Sequence, residues 1–207
     1  MTIKIALIGA PSAGKSTLAA SLFSVLKEKK IKVELIQEYA REHINKYGTV
    51  ENVLSQYLFY EKQREKEDII PSAIDVLITD SPTILSYMYA LFYGKASHKD
   101  EQLLLTNMYE KFLQDSFKRY DLIYYLPSVR DYIKDGTRIQ TEEEAKKIGE
   151  LIYNFLTIHK IPMIEIESPN TQVRTEIIEK DINLLLQDSI NFINSKLYYS
   201  SGGTATL

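Results

Sequence analysis

The sequence predicts an α/β fold, a doubly wound and mostly parallel five-stranded sheet flanked by helices. Three observations carry that expectation. Short apolar or β-branched runs alternate with segments of helical periodicity along the whole chain. The segments between runs are long enough to be crossover helices, which parallel neighbours require. A glycine-containing turn, Gly9 to Thr17, joins the first run to the first helical segment.

The strand candidates are Lys4–Ile8, Lys32–Ile36, Ile74–Thr79, Leu122–Leu126 and Pro162–Ile166. Helical patterns fall at Lys15–Lys29, Val50–Asp68, Leu85–Leu91, Asp100–Phe117, Thr141–His159 and Thr171–Asn194. In the first of these, Leu18, Leu22 and Leu26 recur on one face. Thr141-Glu142-Glu143-Glu144 has the form of a capping box and marks the start of the fifth helix. With 207 residues, no internal repeat and no linker long enough to divide it, the chain reads as one domain over 1–195. Residues 196–207, ending Ser201-Gly202-Gly203-Thr204-Ala205-Thr206-Leu207, read as a flexible C-terminal tail.

Composition narrows the function classes. Lys and Arg total 25 against 28 Asp and Glu, so no basic excess points to nucleic acid. No apolar run approaches the roughly 20 residues that cross a bilayer, and Met1-Thr2-Ile3-Lys4 leads straight into the first strand without the pattern of a leader. The expectation is a cytoplasmic protein with no membrane partner. Cysteine is absent, which excludes disulfides, thiolate catalysis and zinc–cysteine sites.

The turn reads Gly9-Ala10-Pro11-Ser12-Ala13-Gly14-Lys15-Ser16-Thr17, a complete phosphate-binding P-loop in its proper strand-to-helix context. Backbone amides and the helix N-terminus favour a phosphate there. Lys15 supplies a point charge to the terminal phosphates, and Ser16 offers a hydroxyl to Mg²⁺. The expected ligands are therefore ATP and Mg²⁺, with Gly9, Pro11, Ser12, Ala13, Gly14, Lys15, Ser16 and Thr17 as the nucleotide-binding set.

Ligands of such sheets bind beyond the carboxyl ends of the strands. The third strand ends Ile78-Thr79-Asp80, and Asp80 is the expected metal-site acid. The next residue is Ser81, where a Glu able to activate water is absent, which favours transfer to an acceptor over hydrolysis. The second strand leads into Gln37-Glu38-Tyr39-Ala40-Arg41-Glu42. Glu38 is a candidate general base for an acceptor hydroxyl and Arg41 a substrate contact; equally, Glu38 caps the following helix and Arg41 pairs with it or with Glu42. Between the fourth and fifth strands, Arg130, Lys134 and Arg138 bracket Asp135-Gly136 just before the capped helix. This stretch, about 128–141, reads as a lid that brings Arg138 to the transferring group, with Arg130 beside the nucleotide.

Weaker features read as structural. His43, His98 and His159 lack metal-ligand spacing and fit surface or helix-end positions. Tyr57, Phe59, Tyr60, Tyr87, Tyr89 and Tyr93 fit a core, with one or two free to stack on a substrate ring. Glu61, Gln63 and Glu67 fit a solvated helical face.

Taken in order, Gly9–Thr17, Glu38-Tyr39-Ala40-Arg41-Glu42, Ile78-Thr79-Asp80, Asp135-Gly136-Thr137-Arg138 and Ile164-Glu165-Ile166-Glu167-Ser168-Pro169 resemble the ribosylnicotinamide kinase domain of bacterial bifunctional NAD-biosynthesis proteins and the related P-loop ATPase/kinase family, whose members are often phage-encoded. The likeness spans about residues 3–190. It implies a nucleoside-kinase-like fold with a lid, and transfer of the γ-phosphoryl of ATP to a nucleoside-type acceptor such as nicotinamide riboside. It places Lys15, Ser16 and Asp80 at phosphate and metal, Glu38, Tyr39 and Arg41 at the acceptor, Arg138 in the lid and Pro169 near the adenine. The family's Asp-Thr-Asp is Ile78-Thr79-Asp80 here, so a different acceptor fits as well. A nucleoside monophosphate kinase and, from another class, a regulatory or assembly ATPase are the alternatives; a homo-oligomer stays open. A GTPase is disfavoured because no Asn-Lys-x-Asp run occurs.

Overall fold

A computed structural model of the chain describes residues 2–48, 52–71, 73–94, 98–128 and 140–200, with the side chains of the last helix described to residue 188. Its strands are β1 (Ile3–Gly9), β2 (Val33–Ile36), β3 (Val76–Asp80), β4 (Leu122–Leu126) and β5 (Ile164–Glu165). They form one sheet in the order β2-β3-β1-β4-β5, and every pairing is parallel. The glycine turn thus leaves the central strand. In register, Leu7 lies opposite Asp80, and Gly9 opposite Leu126.

The helices are α1 (Lys15–Glu28), α2 (Tyr39–Tyr47), α3 (Val53–Asp68), α4 (Ile84–Tyr93), α5 (Lys99–Lys118), α6 (Glu142–Ile158) and α7 (Thr171–Ser200). Alternation along β1 divides the core into two layers. Ile3, Ile5 and Leu7 face Leu18, Leu22 and Leu26 of α1 and Ile178 and Ile182 of α7. Ala6 and Ile8 face the opposite layer, where Tyr60, Met88, Phe112, Ile152 and Leu156 bring α3, α4, α5 and α6 together. Both faces of the sheet are covered, which explains the continuously apolar strands. Among the described residues, no helix is long and apolar enough to cross a membrane.

The boundaries differ from the sequence expectation in instructive places. Helix α2 lies outside the expected set because it buries no residue, and so shows no apolar stripe to read. Helix α3 starts after Asn52, whose Oδ1 accepts from Ser55 N at 2.8 Å; the expected start at Val50 lies outside the described residues. Strand β3 begins after Asp75, whose carboxylate accepts from Lys32 N at 3.1 Å and ties the strand's entry instead of extending it. Strand β5 is short because, at the sheet edge, only Ile164 and Glu165 pair with β4. Helix α7 runs past Asn194 to Ser200, into the stretch assigned to the tail; residues 201–207 lie outside the described residues.

The capping box forms as expected. Thr141 Oγ1 accepts from Glu144 N at 3.2 Å, and Glu144 Oε2 accepts from Thr141 N at 2.7 Å. Thr141→Ala leaves one of these donors without its side-chain partner, and urea unfolding should show a loss of about 1 kcal/mol with an unchanged slope.

Candidate active site at the P-loop

Tight packing builds the turn after β1. A Cβ on Gly9, whose φ is +157°, would stand 2.4 Å from the Leu126 carbonyl oxygen, so only glycine lets β4 end this close. Gly14 adopts a left-handed φ of 88° and is the N-cap of α1, with no side chain capping the helix. The first N–H groups of a helix have no partner of their own, an arrangement suited to an anion. Ser12 is also left-handed, at φ 71°. Gly149 of α6 backs the turn: a Cβ there would lie 3.0 Å from Ala10 Cβ. Within the loop, Lys15 Nζ donates to the carbonyls of Gly9 and Ala10 at 2.9 and 3.0 Å. Its charge is therefore held over the mouth of the turn.

Three ionisable groups from three elements meet here: Lys15, Glu38 and Asp80. Burial pushes the Glu38 carboxyl above its ordinary value of 4.5; Lys15 opposes this, Asp80 adds to it, and Arg41 and the Ser81 hydroxyl pull it back down. Desolvation prevails although the side chain remains 26% exposed. The expected cap and ion pair at Glu38 form only in part. Glu38 occupies the N-cap of α2, yet its side chain makes no capping hydrogen bond. Arg41 Nε pairs with Glu38 Oε2, at a loose 3.9 Å. Tyr39 packs against Phe59 with ring centroids 6.0 Å apart, and its backbone N donates to Gln63 Oε1 at 2.9 Å.

Asp80 is 5% exposed, and its Oδ1 is buried without a hydrogen-bond partner. The adjacent Ser81 is left-handed at φ 63°, a conformation that turns the chain sharply off the strand end. A buried carboxylate oxygen with no partner fits a cation. Mg²⁺ ordinarily takes one or two carboxylates and completes its shell with phosphate and water. Among the described residues no group of three or more His, Asp or Glu could hold a metal ion. Asp80 and Ser16 are the residues that would hold it.

Two cavities flank these groups. On the α6 side a groove of about 900 Å³ runs between Pro11, Ser12, Pro127, Ser128 and Tyr153, a volume typical of a ligand site. On the α2 side Glu38, Gln56, Phe59, Gln63, Ser81 and Tyr89 wall a space of only about 20 Å³. Gln63 is 3% exposed and its Nε2 is buried without a partner. This corrects the expectation of a solvated face: Gln63 and Glu67, at 2%, are interior. Helix α3 packs against α4, α5 and α2, so polar residues on more than one of its faces are enclosed.

The site also contains a residue that sequence reasoning missed. Arg174 of α7 is fully buried; its Nη1 donates to Ala13 O at 2.7 Å and its Nε donates to Ser168 O. It ties the P-loop to the turn carrying Pro169, which is exposed at the mouth. A lone Arg in a polar helix carries no local signal of such a role. Thr17 is exposed on the first turn of α1. Arg130 and Arg138, with the expected lid, lie outside the described residues.

A parallel α/β sheet whose central strand ends in this turn defines a P-loop nucleotide-binding domain. The chain belongs to the AAA domain family, whose model matches residues 4–174. Its fold is that of a NadR protein solved in complex with NR, at 21% identity and a TM-score of 0.65 over 82% of this chain and 46% of that one. A deoxyadenosine kinase from M. mycoides, with dCMP and dCDP, matches at 16% identity and TM-score 0.59 over 88% of this chain and 100% of that chain. A thymidylate kinase from Ehrlichia chaffeensis matches at 15% and 0.59, over 87% and 98%. The chain spans about half the length of the NadR proteins. These likenesses agree with the resemblance drawn from the motifs and establish the fold of P-loop kinases.

The raised Glu38 carboxyl has a stability consequence with a definite sign. A carboxyl whose folded pKa exceeds its unfolded value stabilises the fold below the unfolded value and loses that contribution as pH rises through the folded one. Glu38→Gln removes the ionisation, so above that window its Tm should exceed that of the parent. The gap should close as pH falls toward 4.5. Thermal melts across the acid range read both limbs; a Tm gap that grows toward acid would refute the assignment.

Proposed function

We propose that this protein is a Mg²⁺-dependent phosphotransferase that moves the γ-phosphoryl of ATP to a hydroxyl of a small nucleoside-type acceptor. The observation that carries the reading is the convergence of Lys15, Glu38 and Asp80, whose Oδ1 is buried without a partner, at the P-loop, with a groove on one side and a second, small cavity on the other. The NadR and deoxyadenosine kinase structures share the fold, which supports the same class here.

The steps follow from the side chains. The P-loop amides and Lys15 bind the β- and γ-phosphates. Glu38, with a carboxyl made more basic by burial, accepts the acceptor's hydroxyl proton. The freed oxygen forms the new bond to phosphorus as the bond to the β-phosphate oxygen breaks, and ADP leaves. Asp80 and Ser16 are the residues that would hold Mg²⁺, which would supply charge neutralisation there. No carboxylate follows Asp80 to activate water, since Ser81 stands there. The sequence assigns Arg138 and Arg130 to closing over the phosphates.

The acceptor-side space of about 20 Å³ holds little more than a water, so binding an acceptor requires it to widen. Helix α2 buries no residue and is the wall that moves at least cost to the core. Nicotinamide riboside is the first acceptor to test. A nucleoside monophosphate is the second reading, favoured by Arg41: its side chain is 41% exposed and only loosely paired, and so is available to a second phosphate. A cytoplasmic setting suits either substrate.

ADP release measured over a panel of nucleosides and nucleoside monophosphates tests the proposal. Turnover should be low with ATP alone and rise strongly with the right acceptor. Lys15→Ala should lower it by at least about a hundredfold, as expected for loss of a transition-state charge contact, while far-UV circular dichroism stays unchanged. Rapid hydrolysis that no acceptor stimulates would replace the kinase reading with the ATPase one. The acid limb of the rate profile should lie above 4.5 and vanish with the activity in Glu38→Gln.

A further inference from the structure

Beyond the phosphate site, the described residues hold a buried polar cluster that the mechanism does not use. It centres on Thr83, fully buried three residues after Asp80. Thr83 is the N-cap of α4, a position where its hydroxyl would ordinarily accept from the helix's own N–H groups, yet it makes no such bond. Its Oγ1 instead donates to Asp115 Oδ2 of α5 at 2.7 Å, and its backbone N donates to the Tyr120 hydroxyl at 3.1 Å.

Those two partners are themselves held. Tyr120 OH donates to the Glu67 carboxylate at 3.0 Å, and Glu67 is paired with Arg119 at 2.7 Å. Asp115 Oδ2 also accepts from Tyr60 OH at 3.0 Å, and Tyr60 OH accepts from Arg64 at 2.7 Å. Tyr60, Arg64 and Glu67 are successive turns of one face of α3. The adjacent face presents Gln56, Phe59 and Gln63 to the acceptor-side cavity. One helix thus braces the acceptor side and, through Thr83, the turn that carries Asp80.

The link from Thr83 back to Asp80 is short and stiff. Ser81 is left-handed and Pro82 has its φ locked by the ring, so little freedom separates the buried hydroxyl from the carboxylate. We propose that Thr83, Asp115 and Tyr120 are positioning residues that hold the Asp80–Ser81 turn in register for metal–nucleotide binding. They touch no reacting atom. The cluster replaces local capping of α4 with tertiary hydrogen bonds, and what those bonds immobilise is the turn bearing the unpartnered Asp80 oxygen.

This inference rests on the metal and nucleotide part of the proposed function, not on the acceptor. Its test is therefore a binding measurement on the full chain: the affinity of a non-hydrolysable ATP analogue with and without Mg²⁺, well below each variant's melting temperature. Wild type should bind more tightly with Mg²⁺. Thr83→Val should lose about tenfold or more of that Mg²⁺-dependent gain, in the range found when groups behind a metal ligand are removed, with the Mg²⁺-free affinity unchanged. Thr83→Ser, which keeps the hydroxyl, should retain the gain. Tyr120→Phe leaves Glu67 its Arg119 partner; it should show the same selective loss, and it decides the matter if Thr83→Val does not fold. Ile182→Val, a core truncation beneath α7, should lower Tm without touching the gain. An undiminished gain in both Thr83→Val and Tyr120→Phe, an equal loss in Ile182→Val, or no Mg²⁺ effect in wild type would overturn the proposal. Failure of the kinase reading shows separately, as wild type without acceptor-stimulated ADP release.

Discussion

Close approach at Gly9 is the constraint on which the site depends. Because Gly9 has no Cβ, the Leu126 carbonyl passes where a side chain would be 2.4 Å away, and β1 and β4 end side by side. The same central strand pairs Leu7 with Asp80 on its other edge. The glycine turn, Asp80 and the end of β4 are thereby set by one strand's register. The backing of the turn by Gly149 and its tether through Arg174 then leave the loop little room to rearrange.

Charge is concentrated where solvent is scarce. The Glu38 carboxyl lies within the electrostatic reach of Asp80, which disfavours its ionisation, and of Lys15 and Arg41, which favour it. Burial disfavours an ionised Glu38, so the fold holds a carboxyl that takes up a proton more readily than one in water. That is unfavourable for stability at neutral pH and useful for a general base, the usual exchange at a catalytic site. Asp80 carries a similar cost by another route, with its Oδ1 buried and without a partner.

Helix α3 joins the two halves of the site. Its Lys66 donates to Gln37 O at 3.0 Å and pairs with Glu42, and Gln63 holds the Tyr39 backbone, so one flank positions α2 and Glu38. Its other flank builds the Tyr60–Glu67 cluster with α5 and Thr83. Such networks are stabilising only when every member is satisfied. In the Tyr60–Glu67 cluster, Glu67 next to Arg119 and Asp115 next to Arg64 are matched by charge as well as hydrogen bonds, whereas on the other flank Gln63 Nε2 is buried without a partner.

Much of this was legible locally. The apolar runs, the leucine spacing of α1, the capping box at Thr141 and the P-loop each depend on neighbours a few residues apart, so the sequence by itself determined the parallel α/β fold and the phosphate turn. Asp80 was legible too, as an acid ending an apolar strand. What only the tertiary structure decided involves partners distant in the chain. Helix α2 has no buried stripe, so nothing in its pattern announces it. Gln63 and Glu67 carry the polarity of a solvated face and are enclosed because α4, α5 and α2 pack on α3. Arg174 reaches Ala13 across 161 positions of sequence, and Thr83 turns from its own helix to Asp115, 32 positions on. Periodicity records which face of an element is apolar; it does not record which buried polar atoms meet, because that depends on strand order and helix packing rather than on spacing along the chain.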